Sequence, residues 1–161
     1  MRKLKILLMT AIMVIGLAVP AFAQEIDVDL NMYKKGTYPP GVPTHANDAV
    51  ERAYLDVKDN GSTDLVVITK WFTLWGIDGT MTQMKYKMPN EADEVESNYN
   101  DPPHGSNGLI RLPLRDSLVE TLYQDNEVAL PNSAVRNNVK FLGIHDMGYK
   151  EVDTVISLKS E

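Results

Sequence analysis

The chain has 161 residues, 16 Lys and Arg against 22 Asp and Glu for a net charge of −6, and no cysteine. That length suits one domain with a real core. The acidic balance argues against nucleic acid or anionic lipid as partner, since both need basic clusters, and the missing cysteine excludes disulfides and thiol nucleophiles.

Residues 1–23 read as a signal peptide. Arg2, Lys3 and Lys5 form a basic start, Ile6 to Val19 is an apolar run, and Ala21-Phe22-Ala23 supplies a small-x-small cleavage site. The run is short of the roughly 20 apolar residues a membrane span needs, so no span is expected after cleavage. The expected mature chain, residues 24–161, carries 13 basic and 22 acidic residues, a net −9. Export into the periplasm or the extracellular space of a bacterium is the expectation.

Glu25 to Met32 alternates strictly, with Ile26, Val28, Leu30 and Met32 on one face, the pattern of a half-buried strand. Lys34 to Pro43 holds three prolines and reads as a loop, because proline cannot donate to a ladder. Asn47 to Asp59 carries both a helical pattern and a strand pattern. Asn60-Gly61 between two β-rich runs favours a strand ending in a two-residue type I′ turn. The stretch Asp56 to Asp64 resembles hairpins of secreted immunoglobulin-like sandwiches, a likeness at the level of fold only. Its Asp56, Asp59, Asn60 and Asp64 also suggest calcium, but the third and twelfth positions of such a loop fall on Lys58 and Val67, so a plain turn is expected.

Asp64 to Met88 is the densest β-forming run. With a hairpin turn placed at Asp78-Gly79, Trp71, Thr73, Trp75, Ile77, Met84, Tyr86 and Met88 share one face, expected to be core. Phe72 and Leu74 then fall on the opposite face beside Lys70, Lys85 and Lys87, as candidate partner contacts. Were Trp71 and Trp75 exposed instead, a sugar-stacking platform would be the alternative.

Residues 89–108 hold five carboxylates and no Lys or Arg. The preferred reading is a solvated, mobile excursion, and the competing one a ligand loop with Asp101 and His104 as its candidates. Leu109 to Leu114 reads as a short strand kept at a sheet edge by Pro113. Ser117-Leu-Val-Glu120 suggests a capping box and a helix over 117–124. Glu127 to Leu130 and Val139 to His145 read as strands, with Pro131-Asn132 and Asn137-Asn138 as turns between them. Asp146 to Tyr149 is the expected hairpin into a last strand, with Val152, Thr154, Ile156 and Leu158 facing inward.

His45, His104 and His145 show no paired metal spacing; a metal hydrolase would require convergence in space, for example of His104, His145 and Asp146. No nucleophile elbow, phosphate loop or dinucleotide fingerprint occurs. The expected fold is mainly β, an antiparallel, immunoglobulin-like β-sandwich with at most one or two short helices. The expected function is a non-catalytic exported module, without cofactor, that binds a protein or glycan partner or serves in the cell envelope. The alternatives are a carbohydrate-binding module and, behind it, a metal-dependent hydrolase.

Overall fold

The structure is a computed structural model and describes residues 23–143 and 145–161; all but the last residue of the expected leader, residues 1–23, lies outside the described residues. Ten strands run in chain order: β1 (Gln24–Lys34), β2 (Val50–Val57), β3 (Thr63–Thr69), β4 (Phe72–Leu74), β5 (Ile77–Tyr86), β6 (Val95–Glu96), β7 (Gly108–Leu114), β8 (Glu127–Leu130), β9 (Ala134–Phe141) and β10 (His145–Ser160). A 3-10 helix, His45–Ala49, precedes β2, and one α-helix, α1 (Asp116–Asp125), follows β7.

All pairings are antiparallel, and they join into a single sheet of order β4-β5-β9-β10-β1-β2-β3-β7, with β6 added to β5 and β8 to β10. Only Lys70 and Trp71 separate β3 from β4, yet β4 begins that order and β3 is next to its other end. A link this short spans roughly 10 Å, so the sheet must curl until its two ends adjoin. The result is a half-barrel. The two stacked sheets of a sandwich are replaced by one sheet wrapped around its own core.

That core is built by alternation. Met32, Leu55, Leu65, Val67, Met81, Met84, Tyr86, Ile110, Leu112, Ile156 and Leu158 are fully buried inside the curl, and Leu118 and Leu122 of α1 join them. In β1 the expected face turns inward, with Val28 and Met32 buried and Ile26 and Leu30 partly so. Leu65, Val66 and Val67 are all fully buried, as a run apolar on both parities requires. Tyr86 crosses the interior. Its hydroxyl donates to the Pro113 carbonyl at 2.8 Å and accepts from the Arg115 amide at 3.0 Å, tying β5 to the entry of α1. Burial pushes its phenol pKa up.

Several expected boundaries moved. The β2–β3 loop is longer than two residues: Val57 pairs with Thr63, Gly61 alone takes a left-handed φ of 83°, and the Asn60 side chain accepts from the Ser62 amide at 2.9 Å. Helix α1 starts one residue before Ser117, with Arg115 at the N-cap position and no side-chain capping bond, so the capping box is not formed. Asn137 and Asn138 lie within β9, not in a turn. The hairpin into β10 turns after Phe141, which pairs with His145, and the 146–148 stretch is a bulge inside β10. Val152 is exposed, whereas Thr154, Ile156 and Leu158 are buried as expected.

The largest correction concerns the tryptophans. The β4–β5 turn is Trp75-Gly76, at φ 52° and 75°, and Leu74 pairs with Ile77. Asp78-Gly79 lies inside β5 because Gly79 faces Phe72 across the pair, and a Cβ there would sit 3.0 Å from the Phe72 ring. Trp75 is consequently 86% exposed and Trp71 half-buried, so neither is core.

Candidate functional site

The site forms where residues 97–104 cross the seam between the two ends of the sheet. On one side the Ser97 amide donates to the Met84 carbonyl (2.9 Å) and the Asn100 amide to the Thr82 carbonyl (2.8 Å), both on β5. On the other, the Asn98 side chain accepts from the Arg111 amide (2.6 Å) and donates to the Leu109 carbonyl (3.1 Å) on β7. The Asn100 side chain sits between them. It accepts from the Leu109 amide (3.2 Å) and donates to Thr69 Oγ1 (3.1 Å) and the Met81 carbonyl (3.3 Å). The acidic connection is therefore an ordered stitch, against the expectation of a mobile excursion. It also occupies the outer edge of β7, which would otherwise present unpaired backbone groups.

Beyond Asn100 the chain folds over a patch fixed by register. Asp78 pairs with Lys140, Thr80 with Asn138, and Asn138 with Tyr149, so Asp78, Lys140, Asn138 and Tyr149 share one face of β5, β9 and β10. Asp101 meets that face with both carboxylate oxygens engaged: Oδ1 accepts from Asn138 Nδ2 at 2.8 Å, Oδ2 from the Tyr149 hydroxyl at 3.0 Å. The hydroxyl of Tyr99 and the carboxylate of Asp101 push the Tyr149 phenol far above its ordinary pKa. Tyr99 meets the Tyr149 ring edge-on at 5.9 Å, and the Arg136 guanidinium lies 4.9 Å from its centre.

His104 completes the arrangement. Its Nε2 lies 2.9 Å from Asp78 Oδ2, and Asp78 Oδ1 accepts from Thr73 Oγ1 at 2.5 Å. A carboxylate only accepts, so Nε2 carries the proton, and in the neutral ring Nδ1 is left as an acceptor. Thr73 first, and His104 after it, hold the Asp78 carboxyl below the usual carboxylate range. Trp71 sets the ring from the side, 4.8 Å between centres and edge-on, and donates its indole N–H to the Pro103 carbonyl at 3.1 Å. Gly143 closes the back: a Cβ there would stand 3.0 Å from Asp78 Oδ2 and 3.1 Å from His104 Cε1.

These groups enclose an open cleft of about 330 Å3 lined by Asp101, Pro103, His104, Asn138, Lys140 and Tyr149, with Asp146 at its rim held 3.2 Å from Lys140. A second cleft, about 400 Å3, opens where β1 and β2 part beyond Asp27. It is lined without any aromatic side chain, and Arg52 already pairs with Asp27 at 2.8 Å there.

Of the residues singled out from sequence, Asp101 and His104 come together in the first cleft. Phe72 and Leu74 do not reach it: Phe72 is half-buried against the core beside Gly79, and Leu74 is half-buried next to the Trp75 turn. Asp56 and Asp64, the calcium candidates, instead face cations of the protein itself. Arg111 contacts both, and Lys58 Nζ lies 2.7 Å from Asp64 Oδ2. Asp146 is paired with Lys140, and the His145 side chain lies outside the described residues. Among the described residues, no three His, Asp or Glu side chains gather in a way that could hold a metal ion, and no helix is long and apolar enough to cross a membrane.

Asp78, Thr73, Asn138, Lys140 and Tyr149 went unnoticed as site residues. Asp78 and Asn138 carry turn-forming identities, and that signal concealed their place in the middle of strands. Comparisons with protein-family models, curated proteins and solved structures return no match.

Proposed function

We propose that this protein is an exported, non-catalytic binding module whose cleft takes a neutral carbohydrate. The observation that carries the reading is that Asp101 and His104 are held by an ordered stitch over a cleft that sets the Tyr149 ring beside fixed hydrogen-bonding groups. A sugar offers apolar C–H faces and a ring of hydroxyls. Tyr149 supplies aromatic surface in the cleft, and Trp71 packs edge-on against His104 and holds its ring in place. Asp101, His104 Nδ1 and Asn138 supply acceptors and Lys140 a donor, each oriented by a partner already in place.

The electrostatics turn away an anionic ligand. Asp78, Asp101 and Asp146 stand against Lys140 alone, because His104, Asn138 and Tyr149 meet their carboxylates as neutral hydrogen-bond donors, and both oxygens of Asp78 and of Asp101 are already engaged within the protein. The His104–Asp78 pair has the form of the orienting half of a hydrolytic triad. Among the described residues, however, no serine or threonine hydroxyl bonds to His104, and the hydroxyl nearest the pair, Thr73, is bound to Asp78. Binding without turnover is the reading these contacts support.

Affinity electrophoresis of the protein through gels containing soluble polysaccharides tests it. One or more neutral polymers should retard the wild type, and Tyr149→Ala and Trp71→Ala should restore free mobility. If every polymer in a panel of plant, bacterial and animal glycans leaves mobility unchanged, the reading fails.

A further inference from the structure

Next to the cleft, two hairpin tips lie side by side at one end of the sheet. The first is Thr73 to Ile77 and the second Phe141 to Gly143, joined by the Leu142 amide donating to the Gly76 carbonyl at 2.7 Å. Each turn places a large apolar residue in the left-handed region just before a glycine: Trp75 at φ 52° before Gly76, Leu142 at φ 51° before Gly143. That position favours Asn, Asp or Gly, and bulky side chains are strained there. The strain brings no burial. Trp75 is 86% exposed, Leu142 62% and Phe141 44%. Local rules broken twice, on adjacent tips whose apolar side chains stay largely exposed, point to a use for these side chains outside the molecule.

We infer that the paired tips are an anchor that seats the protein on the interface of a neutral, zwitterionic lipid bilayer. Three features choose this occupant. The apolar side chains of the tips are exposed, and side chains that stand out at hairpin turns suit a deformable phase better than a rigid concave partner. Residues Thr73 to Ile77 and Phe141 to Gly143 contain no charge, in a chain whose residues are 24% charged. Trp is the side chain most at home at the boundary of headgroup and acyl chain, and Leu and Phe add apolar area below it. The net charge of −9 over residues 24–161 turns the preference away from anionic lipid. A sugar platform at Trp75 is disfavoured, because the one polar side chain of that tip, Thr73, is spent on Asp78. Anchored this way, the molecule would hold its cleft close to the membrane surface.

The test uses protein purified from the full-length gene and co-sedimentation with phosphatidylcholine vesicles. The wild type should sediment with the lipid, and Trp75→Ser/Leu142→Ser should lose partitioning by at least about tenfold, as follows from withdrawing roughly 100 Å2 of apolar surface per side chain. Trp75→Asn serves as the folding control. Asn tolerates the left-handed turn, so this variant should melt no lower than the wild type while binding vesicles more weakly. Equal sedimentation of wild type and double variant would overturn the proposal. So would failure of the wild type to bind vesicles, whether or not sedimentation velocity then shows that the tips join two copies of the chain.

Discussion

Asn100→Ala is the substitution that probes the seam most sharply. The Asn100 side chain makes three hydrogen bonds, to the Leu109 amide, Thr69 Oγ1 and the Met81 carbonyl, and so touches β7, β3 and β5 at once. At about 1 kcal/mol net for each, with part recovered by water at this half-buried position, the loss comes to about 2 kcal/mol. For a chain of this size that lowers the melting midpoint by roughly 6 °C. Gly108 gives an independent handle, since a Cβ there would lie 2.4 Å from Asn100 Nδ2 and 2.5 Å from Oδ1. Gly108→Ala should therefore evict the amide and destabilise the wild type, yet cost little more once Asn100 is already Ala. The double-mutant cycle should be strongly non-additive. Thermal melts of the four proteins give the energies, and amide exchange at Leu109 reports whether its bond to Asn100 has gone. Additive effects, or full protection of the Leu109 amide in Asn100→Ala, would refute the stitch.

Other outcomes follow from the same contacts. Tyr86→Phe leaves the Pro113 carbonyl and the Arg115 amide without their partner in the interior and should cost about 1–3 kcal/mol, read by urea titration. Arg111→Met leaves Asp56 without its cation beside the nearly buried Asp64 and should destabilise by about 1–3 kcal/mol, whereas EDTA should leave the wild-type midpoint unchanged, because Arg111 and Lys58 already neutralise these carboxylates. Because Thr73 and His104 lower the Asp78 pKa in the folded state, its stabilising contribution is full above the ordinary carboxylate pKa of about 4 and is lost as pH falls through the folded value. Wild-type stability should thus decline below about pH 4, and Asp78→Asn should show a shallower decline when melts are followed from pH 6 to pH 2.

Alternation carried much of the architecture. β1, the doubly buried β3, β8 and the inward face of β10 from Thr154 onward follow from apolar spacing, because burial acts on every second residue, and Pro113 marked β7 as an edge strand. What escaped that logic was decided by contacts distant in sequence. Asp78-Gly79 has the identity of a hairpin turn, but the space Gly79 leaves for the Phe72 ring keeps it in a strand, and the turn falls on Trp75-Gly76. A shift of this kind changes which side chains are buried, and it carried both tryptophans out of the core. Asn137-Asn138 likewise has turn identity, yet Asn138 lies in β9, where its amide binds Asp101, a residue 37 positions away. The acidic connection looked loose because its bonds run from backbone and asparagine side chains to strands on both sides of a seam that exists only once the sheet has curled. Asp101 and His104 were visible as candidates. The face they cover was not, since it is assembled from β4, β5, β9 and β10.

The most direct test of the central claim is a chemical-shift titration of the 15N-labelled protein with the neutral oligosaccharide whose polymer retards it best. The account predicts that the Trp71 indole N–H, the Asn138 side-chain amide and the backbone amides of Asp101, His104 and Tyr149 shift together with one affinity. Shifts confined to residues outside this cleft, or none at saturating sugar, would contradict it.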